Sequence, residues 1–264
     1  MKEEKHFGKT YGKIISLIEE KKGLVFLVID PPNQSPEIAG KLSRIGAECG
    51  IAAVAVGGSV GAQGEILDKT IISIKEHSGL PVILFPGNIA TISKHADAIY
   101  FMSMLNSLDP YYISGAQTAS SLPLKKIGVE PIPTSYIIVE PGRAVGWVGR
   151  AKLVPRNMPY LAGITALAGQ YMGAHAIILE SGGGAPAPAP KEMVKYTAEL
   201  IDVPLIVAGG VRTPKFAYET IKAGASIIHV GAALERTKGD ATKAKKTFDS
   251  IVKAAFKGGR ERKQ

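Results

Sequence analysis

Eight short runs rich in valine, isoleucine and leucine recur along this chain of 264 residues, and most are followed by a turn and a helical pattern. The runs cover residues 24–30, 51–57, 81–85, 97–101, 135–140, 174–180, 204–208 and 226–230. They are continuous rather than alternating in polarity, as expected for parallel strands covered on both faces. Eight such repeats in about 250 residues favour a closed (β/α)8 TIM barrel over an open doubly wound sheet. We therefore expect one α/β domain over residues 1–264.

Helical patterns follow most of the predicted strands. They cover residues 9–22, 36–48, 64–78, 108–119, 158–172, 190–201, 214–223 and 240–256. Residues 1–22 are interpreted as a leading segment and helix over the bottom of the barrel. Only eleven residues, 86–96, separate the third and fourth strands, so we expect the third barrel helix to be shortened or missing.

Two further segments interrupt the repeat. The prolines and glycine of residues 120–134 predict an irregular approach to the fifth strand. The insertion 141–155 follows the fifth strand, which places it at the top of the barrel.

The net charge of +9 lies at the ends of the chain. Residues 236–264 hold ten Lys or Arg and three Asp or Glu, whereas residues 23–235 hold sixteen of each. This distribution argues against nucleic acid as a partner, and residues 258–264 are interpreted as a solvated basic tail. It leaves room for weak attraction of the protein to an anionic membrane surface. A lone Cys49 and an N-terminus without a signal-like apolar run predict a cytoplasmic protein.

Glycine turns and two carboxylates end the predicted strands, where active sites of such barrels lie. Glycines follow strands two, six, seven and eight, at 57–58, 182–184, 209–210 and 231. Their backbone N–H groups could bind a phosphate, or the glycines could simply make tight turns.

The two strand-end carboxylates have alternative interpretations. Asp30 is either a helix cap or a ligand for a hard cation, together with Ser59. Glu180 is either a general base or a hydrogen-bonded orienting group, and the alternative to both is a salt-bridged or capping residue. Residues 100–105 form either core or an apolar groove, and His175 and His229 are predicted to be core histidines.

Three runs resemble a known family. Residues 139–149 (Val-Glu-Pro-Gly-Arg-Ala-Val-Gly-Trp-Val-Gly), 179–185 (Leu-Glu-Ser-Gly-Gly-Gly-Ala) and 56–59 (Val-Gly-Gly-Ser) are similar to the prenylglyceryl phosphate synthases, particularly the archaeal geranylgeranylglyceryl phosphate synthases. The resemblance covers roughly residues 24–235. It implies a Mg²⁺-dependent prenyltransferase that joins the 3-hydroxyl of sn-glycerol 1-phosphate to C1 of geranylgeranyl diphosphate, the first ether bond of archaeal membrane lipid. It also implies a homo-oligomer.

The same resemblance implies roles for individual residues. Asp30 and Ser59 match the magnesium positions, and Glu180 lies next to the nucleophilic hydroxyl. The positions that match the glycerol phosphate site are Ile178, Leu179, Glu180, Ser181, Gly182, Gly183, Gly184, Gly209, Gly210, Gly231 and Ala232.

Three of these positions depart from the family pattern. Ile178, Gly183 and Ala232 stand where the family often has Tyr, Ser and Asn or Thr, so each departure removes a side-chain hydroxyl or amide. The prenyl donor is expected to lie in a groove past residues 85–90 and 100–105. The alternatives are a heptaprenylglyceryl phosphate synthase-like enzyme with a longer donor, a different phosphate-binding barrel enzyme, or a barrel that only binds a phosphometabolite or nucleic acid.

Overall fold

The computed structural model describes residues 8–58, 60–231, 237 and 240–262, and in these ranges eight parallel strands close into a barrel. The strands are β1 (Leu24–Ile29), β2 (Ala53–Gly58), β3 (Val82–Pro86), β4 (Ala98–Met104), β5 (Glu130–Ile138), β6 (Ala176–Glu180), β7 (Leu205–Ala208) and β8 (Ile227–Val230). Each strand pairs with the next along the chain, and β8 pairs with β1. The predicted (β/α)8 barrel is confirmed.

Helices surround this barrel. They are α1 (Lys9–Lys21), α2 (Pro36–Glu48), α3 (Gly64–Ser78), α4 (Ala116–Ile127), α5 (Arg143–Val148), α6 (Pro159–Tyr171), α7 (Lys191–Leu200), α8 (Pro214–Lys222) and α9 (Ala241–Arg260). Capping residues determine where two of these helices begin. The side chains of Ser35 and Thr213 accept hydrogen bonds from backbone N–H groups in the first turns of α2 and α8, and a proline fills the next position in each.

The strands divide their side chains between two layers. Because successive residues point to opposite faces, alternate residues fill the barrel interior and the others pack under the helices. Phe26, Tyr100, Ile178 and Ile206 belong to the interior cluster, whereas Leu179 and Val207 pack in the outer one. Asp30 and Glu180 have the parity of the interior residues, so the strand ends present them to the top of the barrel.

Helix α1 covers the bottom of the barrel, as predicted. Glu130, the first residue of β5, accepts hydrogen bonds from the backbone N–H groups of Thr10 and Tyr11 at 2.7 and 2.9 Å. The Tyr11 hydroxyl donates to the backbone carbonyl of His175 at 2.6 Å. These contacts hold α1 against the amino ends of β5 and β6.

The third barrel helix is absent from the segment between β3 and β4, as predicted. An Asn88 side chain accepts from the N–H of Ala90 at 2.8 Å, and the Ser93 hydroxyl donates to Asp68 at 2.5 Å. Side-chain hydrogen bonds therefore fix a compact non-helical connection where the repeat would otherwise place a helix.

The prediction for residues 120–134 is wrong, and the helix predicted over 108–119 is displaced. A π-helical turn (Tyr111–Gly115) leads into α4, which continues through Pro123 to Ile127. Strand β5 begins at Glu130 and includes two prolines. The strand tolerates both prolines because their nitrogens do not face β4. The N–H of Glu130 donates to the carbonyl of Asp97, on the β4 side. Because successive residues alternate between the two neighbouring strands, the nitrogens of Pro131 and Pro133 face the β6 side. Pairing with β6 starts only at Thr134 and Ala176.

The C-terminal segment is more ordered than a solvated tail. Helix α9 extends to Arg260, and Gly258 and Gly259 within it are buried. The guanidinium of Arg262 donates to the backbone carbonyls of Ile221 and Ala225. The interpretation of residues 258–264 as a solvated tail is therefore wrong for 258–262, and Lys263 lies outside the described residues.

Across the described ranges, no helix combines the length and the hydropathy needed to cross a membrane.

The proline within α4 gives a stability prediction. Pro123 cannot donate a helical hydrogen bond, and a proline inside a helix costs up to about 3 kcal/mol relative to alanine. Its restriction of the unfolded chain offsets about 1 kcal/mol of this. We expect Pro123→Ala to raise the free energy of unfolding by about 1–2 kcal/mol in urea titrations. Leu122→Ala, a change at a neighbouring exposed side chain, should move it by less than about 0.5 kcal/mol. A less stable Pro123→Ala protein would contradict the interpretation.

Candidate active site

A cavity of about 560 Å³ opens at the carboxyl ends of the strands. Its polar end contains the two carboxylates and the predicted glycines, and its other end is apolar. Of the predicted site residues, those that line it are Asp30, Glu180, Gly183, Gly184, Gly209, Gly210 and Gly231. The structure thus brings together residues from the ends of β1, β6, β7 and β8.

Four residues of the predicted phosphate-binding stretch lie behind this surface. Ile178, Leu179 and Ser181 are fully buried, and Gly182 contributes its backbone N–H to Glu180. Ser59 and Ala232, the remaining predicted positions, lie outside the described residues.

Glu180 is held by two donors at the end of β6. Its Oε1 accepts a 2.6 Å hydrogen bond from the backbone N–H of Gly182, and its Oε2 accepts one of 3.2 Å from the hydroxyl of Tyr136. Tyr136 stands on β5, beside β6 in the barrel. The carboxylate therefore has a defined orientation although the residue is only 5% exposed.

Burial raises the pKa of Glu180 to about 7. The hydrogen bonds from Gly182 and Tyr136 favour the ionised carboxylate and oppose this change, and the negative charge of Asp30 adds to it. A carboxylate with a pKa near 7 can accept a proton at neutral pH and release it again, which suits a general base.

Two glycines allow the backbone to approach this carboxylate closely. Gly209 has φ of +74°, and a Cβ there would clash with Glu180 Oε1 and lie 2.7 Å from the nitrogen of Gly182. Gly182 has φ of +95°, and a Cβ there would lie 2.5 Å from the carbonyl oxygen of Gly142. The glycines thus do more than turn the chain, because a side chain on Gly209 would collide with Glu180 and one on Gly182 would collide with Gly142 and Arg143.

Asp30 forms the opposite side of the polar end. A Cβ on Gly58 would lie 3.3 Å from the Asp30 carboxylate, so the glycine leaves room beside that group. In the part of the chain that the structure describes, no three His, Cys, Asp or Glu side chains cluster as metal ligands would. One carboxylate beside open space fits Mg²⁺ better than it fits a metal enclosed by protein ligands, because Mg²⁺ keeps waters and phosphate oxygens in its shell.

The other end of the cavity is an apolar arm. It is lined by Phe85, Ile89, Ile92, Tyr100, Met102, Met104, Tyr111, Tyr112, Val145 and Val148, among others. The arm coincides with the groove predicted past residues 85–90 and 100–105. It also has walls from the turn before α4 and from α5, which the sequence did not indicate.

An aromatic cluster forms the floor between the two ends. The ring of His229 lies 5.3 Å from that of Phe85 and 5.8 Å from that of Phe26, and its Nε2 is 3.1 Å from the hydroxyl of Tyr100. Burial lowers the pKa of His229 to about 3, so this imidazole is neutral at physiological pH. The prediction of a core histidine is confirmed for His229, although its ring also borders the cavity.

The whole arrangement has close counterparts among known proteins. The chain matches the PcrB family over residues 16–254. It is 51% identical to the geranylgeranylglyceryl phosphate synthase of Pyrococcus horikoshii over 253 residues, which are 96% of this chain and 99% of that protein. The chain belongs to the PcrB family.

Solved structures of relatives support the assignment to the PcrB family. The crystal structure of (S)-3-O-geranylgeranylglyceryl phosphate synthase from Thermoplasma acidophilum, in complex with substrate sn-glycerol-1-phosphate, is similar with a TM-score of 0.87 and 33% identity, covering 92% of this chain and 97% of that one. Wild-type GGGPS from Thermoplasma volcanium gives a TM-score of 0.86 and 36% identity, covering 92% and 96%. The resemblance seen in the three sequence runs is confirmed.

The departures from the PcrB pattern have different structural contexts. Ile178 lies inside the barrel, paired in register with Tyr136 on one side and Ile206 on the other. A Cβ on Gly183 would meet nothing within 4 Å, so the loss of a side chain there leaves open space.

Sequence analysis missed two residues of this site. Tyr136 was placed in a strand without a role, although its even spacing from Ile138 gives it the same inward parity as Glu180. Arg212 lines the cavity after β7, and its guanidinium also donates to the carbonyl of Pro186. A basic residue two positions after a predicted phosphate-binding glycine pair was a usable signal for it.

The glycine contacts generate a matched test. Gly209→Ala places a methyl group against Glu180 and keeps an unfavourable positive φ, so we expect it to lower the free energy of unfolding by about 2 kcal/mol or more. Gly183→Ala enters open space and should change it by less than about 1 kcal/mol. Urea titration of both variants measures the difference, and equal losses would contradict the close approach at Gly209.

Proposed function

We propose that this protein is a geranylgeranylglyceryl phosphate synthase, which transfers a C20 prenyl group from its diphosphate to the 3-hydroxyl of sn-glycerol 1-phosphate. The observation that carries the proposal is the position of Glu180, a buried carboxylate between a glycine-lined polar pocket and an apolar arm. The names of the relatives and the glycerol phosphate bound to the Thermoplasma acidophilum protein support the same reaction.

In this reaction Glu180 takes the proton of the attacking hydroxyl. The oxygen forms a bond to C1 of the prenyl chain, the bond from C1 to the diphosphate oxygen breaks, and diphosphate leaves. The N–H of Gly182 and the hydroxyl of Tyr136 fix the carboxylate, so its oxygen is oriented before substrate arrives. A positioned base is useful here because a primary alcohol is a weak nucleophile.

The glycerol phosphate is held by the backbone around the glycine turns. Gly183, Gly184, Gly209, Gly210 and Gly231 line one end of the cavity, where N–H groups without neighbouring side chains can reach phosphate oxygens. Arg212 adds a positive charge at the same end. This placement sets the 3-hydroxyl toward Glu180.

The cofactor proposed is Mg²⁺, with Asp30 as its protein ligand in the described part of the chain and Ser59 as the second candidate. Bound there, the ion would neutralise charge on the diphosphate as it leaves. Asp30 would also keep the diphosphate end of the donor at the β1 side of the cavity, away from the glycines.

The prenyl chain of the donor is proposed to occupy the apolar arm. Phe85, Met104 and Tyr112 offer a surface without charge, and chain burial there excludes water from the reacting carbon.

Two broader properties belong to the same proposal. Helix α6 exposes Tyr160, Ile164 and Tyr171, and residues 157–179 contain no Asp, Glu, Lys or Arg, which supports a homo-oligomer formed through this face. Sedimentation equilibrium at micromolar concentration tests the homo-oligomer, and a monomer would contradict it.

The lone Cys49 supports a cytoplasmic location, which cell fractionation would check.

The reaction is tested by transfer to radiolabelled sn-glycerol 1-phosphate from C15, C20 and C35 donors, with and without Mg²⁺. We expect metal-dependent product with the C20 donor, and none with the opposite glycerol phosphate enantiomer. Turnover with the C35 donor alone would replace the proposal by a heptaprenyl-type enzyme. No turnover with any donor would leave a phosphate-binding barrel of another kind.

The raised pKa of Glu180 predicts the pH dependence. The base must be ionised, so kcat/KM should fall about tenfold per unit as pH drops below about 7. Tyr136→Phe removes a hydrogen bond that favours the ionised carboxylate, which raises its pKa further and should move the acidic limb to higher pH. Glu180→Gln should lower kcat by about 10²–10⁴.

A pH–rate comparison of wild type and Tyr136→Phe measures this effect. The second ionisation of the substrate phosphate, near pH 6, is the same for both proteins, so the difference between the two profiles reports Glu180. Superimposable profiles, or a Glu180→Gln enzyme within about threefold of wild type, would show that Glu180 is not the base.

A further inference from the structure

Phe85, near the end of β3, is the partly exposed ring of the aromatic floor. Its neighbours Tyr100, Tyr136 and His229 are each 5% exposed or less. Phe85 itself is half-buried and lines the cavity. The centroids of the three neighbouring rings lie 5.6, 5.7 and 5.3 Å from that of Phe85, at interplanar angles of 78°, 73° and 78°. These nearly perpendicular contacts fix the orientation of the Phe85 ring and leave part of its surface to whatever occupies the cavity.

On one side, Phe85 lies near the carboxylate proposed to bind Mg²⁺. Strands β2 and β3 pair with Gly57 opposite Phe85, and β1 and β2 pair with Ile29 opposite Val56. The next step of the second register places Asp30 beside Gly57. Asp30, Gly57 and Phe85 then share one row of the barrel, with the parity of the interior residues. Because Gly57 has no side chain, no side chain of this row separates Asp30 from the Phe85 ring.

On the other side, Phe85 is one ring away from the proposed general base. The Tyr136 ring is centred 5.7 Å from that of Phe85, and its hydroxyl donates to Glu180 Oε2 at 3.2 Å. The apolar arm begins at the same place, since β4, the strand that pairs with β3, lines it. The Phe85 ring therefore lies where the Asp30 side, the Glu180 side and the apolar arm meet.

We propose that Phe85 is a catalytic residue, which stabilises positive charge on the allylic carbon C1 of the prenyl donor during transfer. The inference rests on the proposed function, because C1 is the atom that joins the diphosphate to the prenyl chain. With the diphosphate at Asp30, the chain in the apolar arm and the attacking hydroxyl at Glu180, C1 lies over the ring of Phe85.

The chemistry of an allylic diphosphate explains the need for such a ring. The bond from C1 to oxygen breaks with both electrons leaving on the diphosphate, and the positive charge is shared between C1 and C3. A lone pair of the glycerol 3-hydroxyl then forms the bond to C1, and the hydroxyl proton passes to Glu180. An aromatic face attracts a cation within about 6 Å of its centroid, most strongly where water is excluded. A carboxylate this close to C1 would itself be alkylated, whereas a phenyl ring is a far weaker nucleophile.

Fluorination of Phe85 tests this role, because each fluorine withdraws electron density from the ring face with little change in shape. Site-specific incorporation of mono-, di- and trifluorinated phenylalanine gives a graded series. With enzyme in excess over the C20 donor, the single-turnover rate should fall stepwise, by about tenfold or more for the trifluorinated ring. The Kd for the donor should change by less than about threefold, since its ground state carries no charge at C1.

Phe248, a buried phenylalanine of α9 in the outer cluster, is the matched control. The same series at this position should leave the single-turnover rate unchanged, and urea titration of each protein checks that the fold is intact. A rate that does not follow the degree of fluorination at Phe85, or an equal fall in the two series, would overturn the role of Phe85.

A binding measurement gives a second readout that does not depend on turnover. A prenyl ammonium ion, with its charged nitrogen in place of C1, mimics the cation when diphosphate and Mg²⁺ are also present. In titration calorimetry, the trifluorinated ring at Phe85 should weaken its binding about tenfold and leave binding of the uncharged hydrocarbon of the same length unchanged. Equal losses for the two ligands would show a change of shape rather than of charge stabilisation, which contradicts the proposal.

The same experiments separate this proposal from the proposed function. No transfer by the wild-type protein from any prenyl donor would contradict the proposed function. Transfer by the wild type, with a rate that stays constant along the fluorinated series at Phe85, would contradict the role of Phe85 alone.

Discussion

The carboxylate of Glu180 can lie buried at the end of β6 only because the neighbouring strand, β7, is followed at once by Gly209, a residue without a Cβ. Any side chain on Gly209 would collide with Glu180 Oε1 and with the backbone nitrogen of Gly182. The N–H of Gly182 donates the hydrogen bond that Oε1 accepts. The close packing of two strand ends thus removes the carboxylate from water. A pKa moved from 4.5 to about 7 corresponds to about 3 kcal/mol of disfavoured ionisation. Because the folded state binds that proton more tightly than the unfolded chain does, stability is lost as pH rises from about 4.5 to 7. The carboxylate is therefore mostly ionised only above about pH 7, where the folded protein no longer has this stabilisation.

The same alternation of side chains builds both the core and the site. Along β6, Ile178 fills the barrel interior, and the next residue of the same parity is Glu180, at the layer where the barrel opens. On β5 the corresponding step passes from Tyr136 to Ile138. A tyrosine one layer below a carboxylate on the adjacent strand can reach it with its hydroxyl, and this is the observed contact. The alternation of side chains along each strand therefore positions both the apolar interior and the residues that hold the carboxylate.

Much of this architecture could be predicted from the sequence. Continuous apolar runs identified all eight strands, since each is buried on both faces, and the short spacing between residues 85 and 97 predicted the missing helix. The segment 120–134 was mispredicted because proline is a local signal, whereas the outcome depended on which neighbour each nitrogen faced. The nitrogens of Pro131 and Pro133 face the β6 side, where strand pairing starts only at Thr134, and the N–H of His175 just before β6 donates to the carbonyl of Pro133 instead. Tyr136 was missed for a related reason, since its function depends on a residue 44 positions away in sequence.

The absence of the third barrel helix explains where the apolar arm opens. A full helix after β3 would cover the outer side of that strand and of β4, where Ile89 and Ile92 now border the cavity. The compact turn held by Asn88 and Ser93 keeps this edge of the barrel thin. The arm can then extend outward from the barrel axis, which a barrel interior filled by side chains would not permit. A thin wall leaves apolar side chains such as Ile89 exposed, so the arm that opens here has apolar surface at its edge.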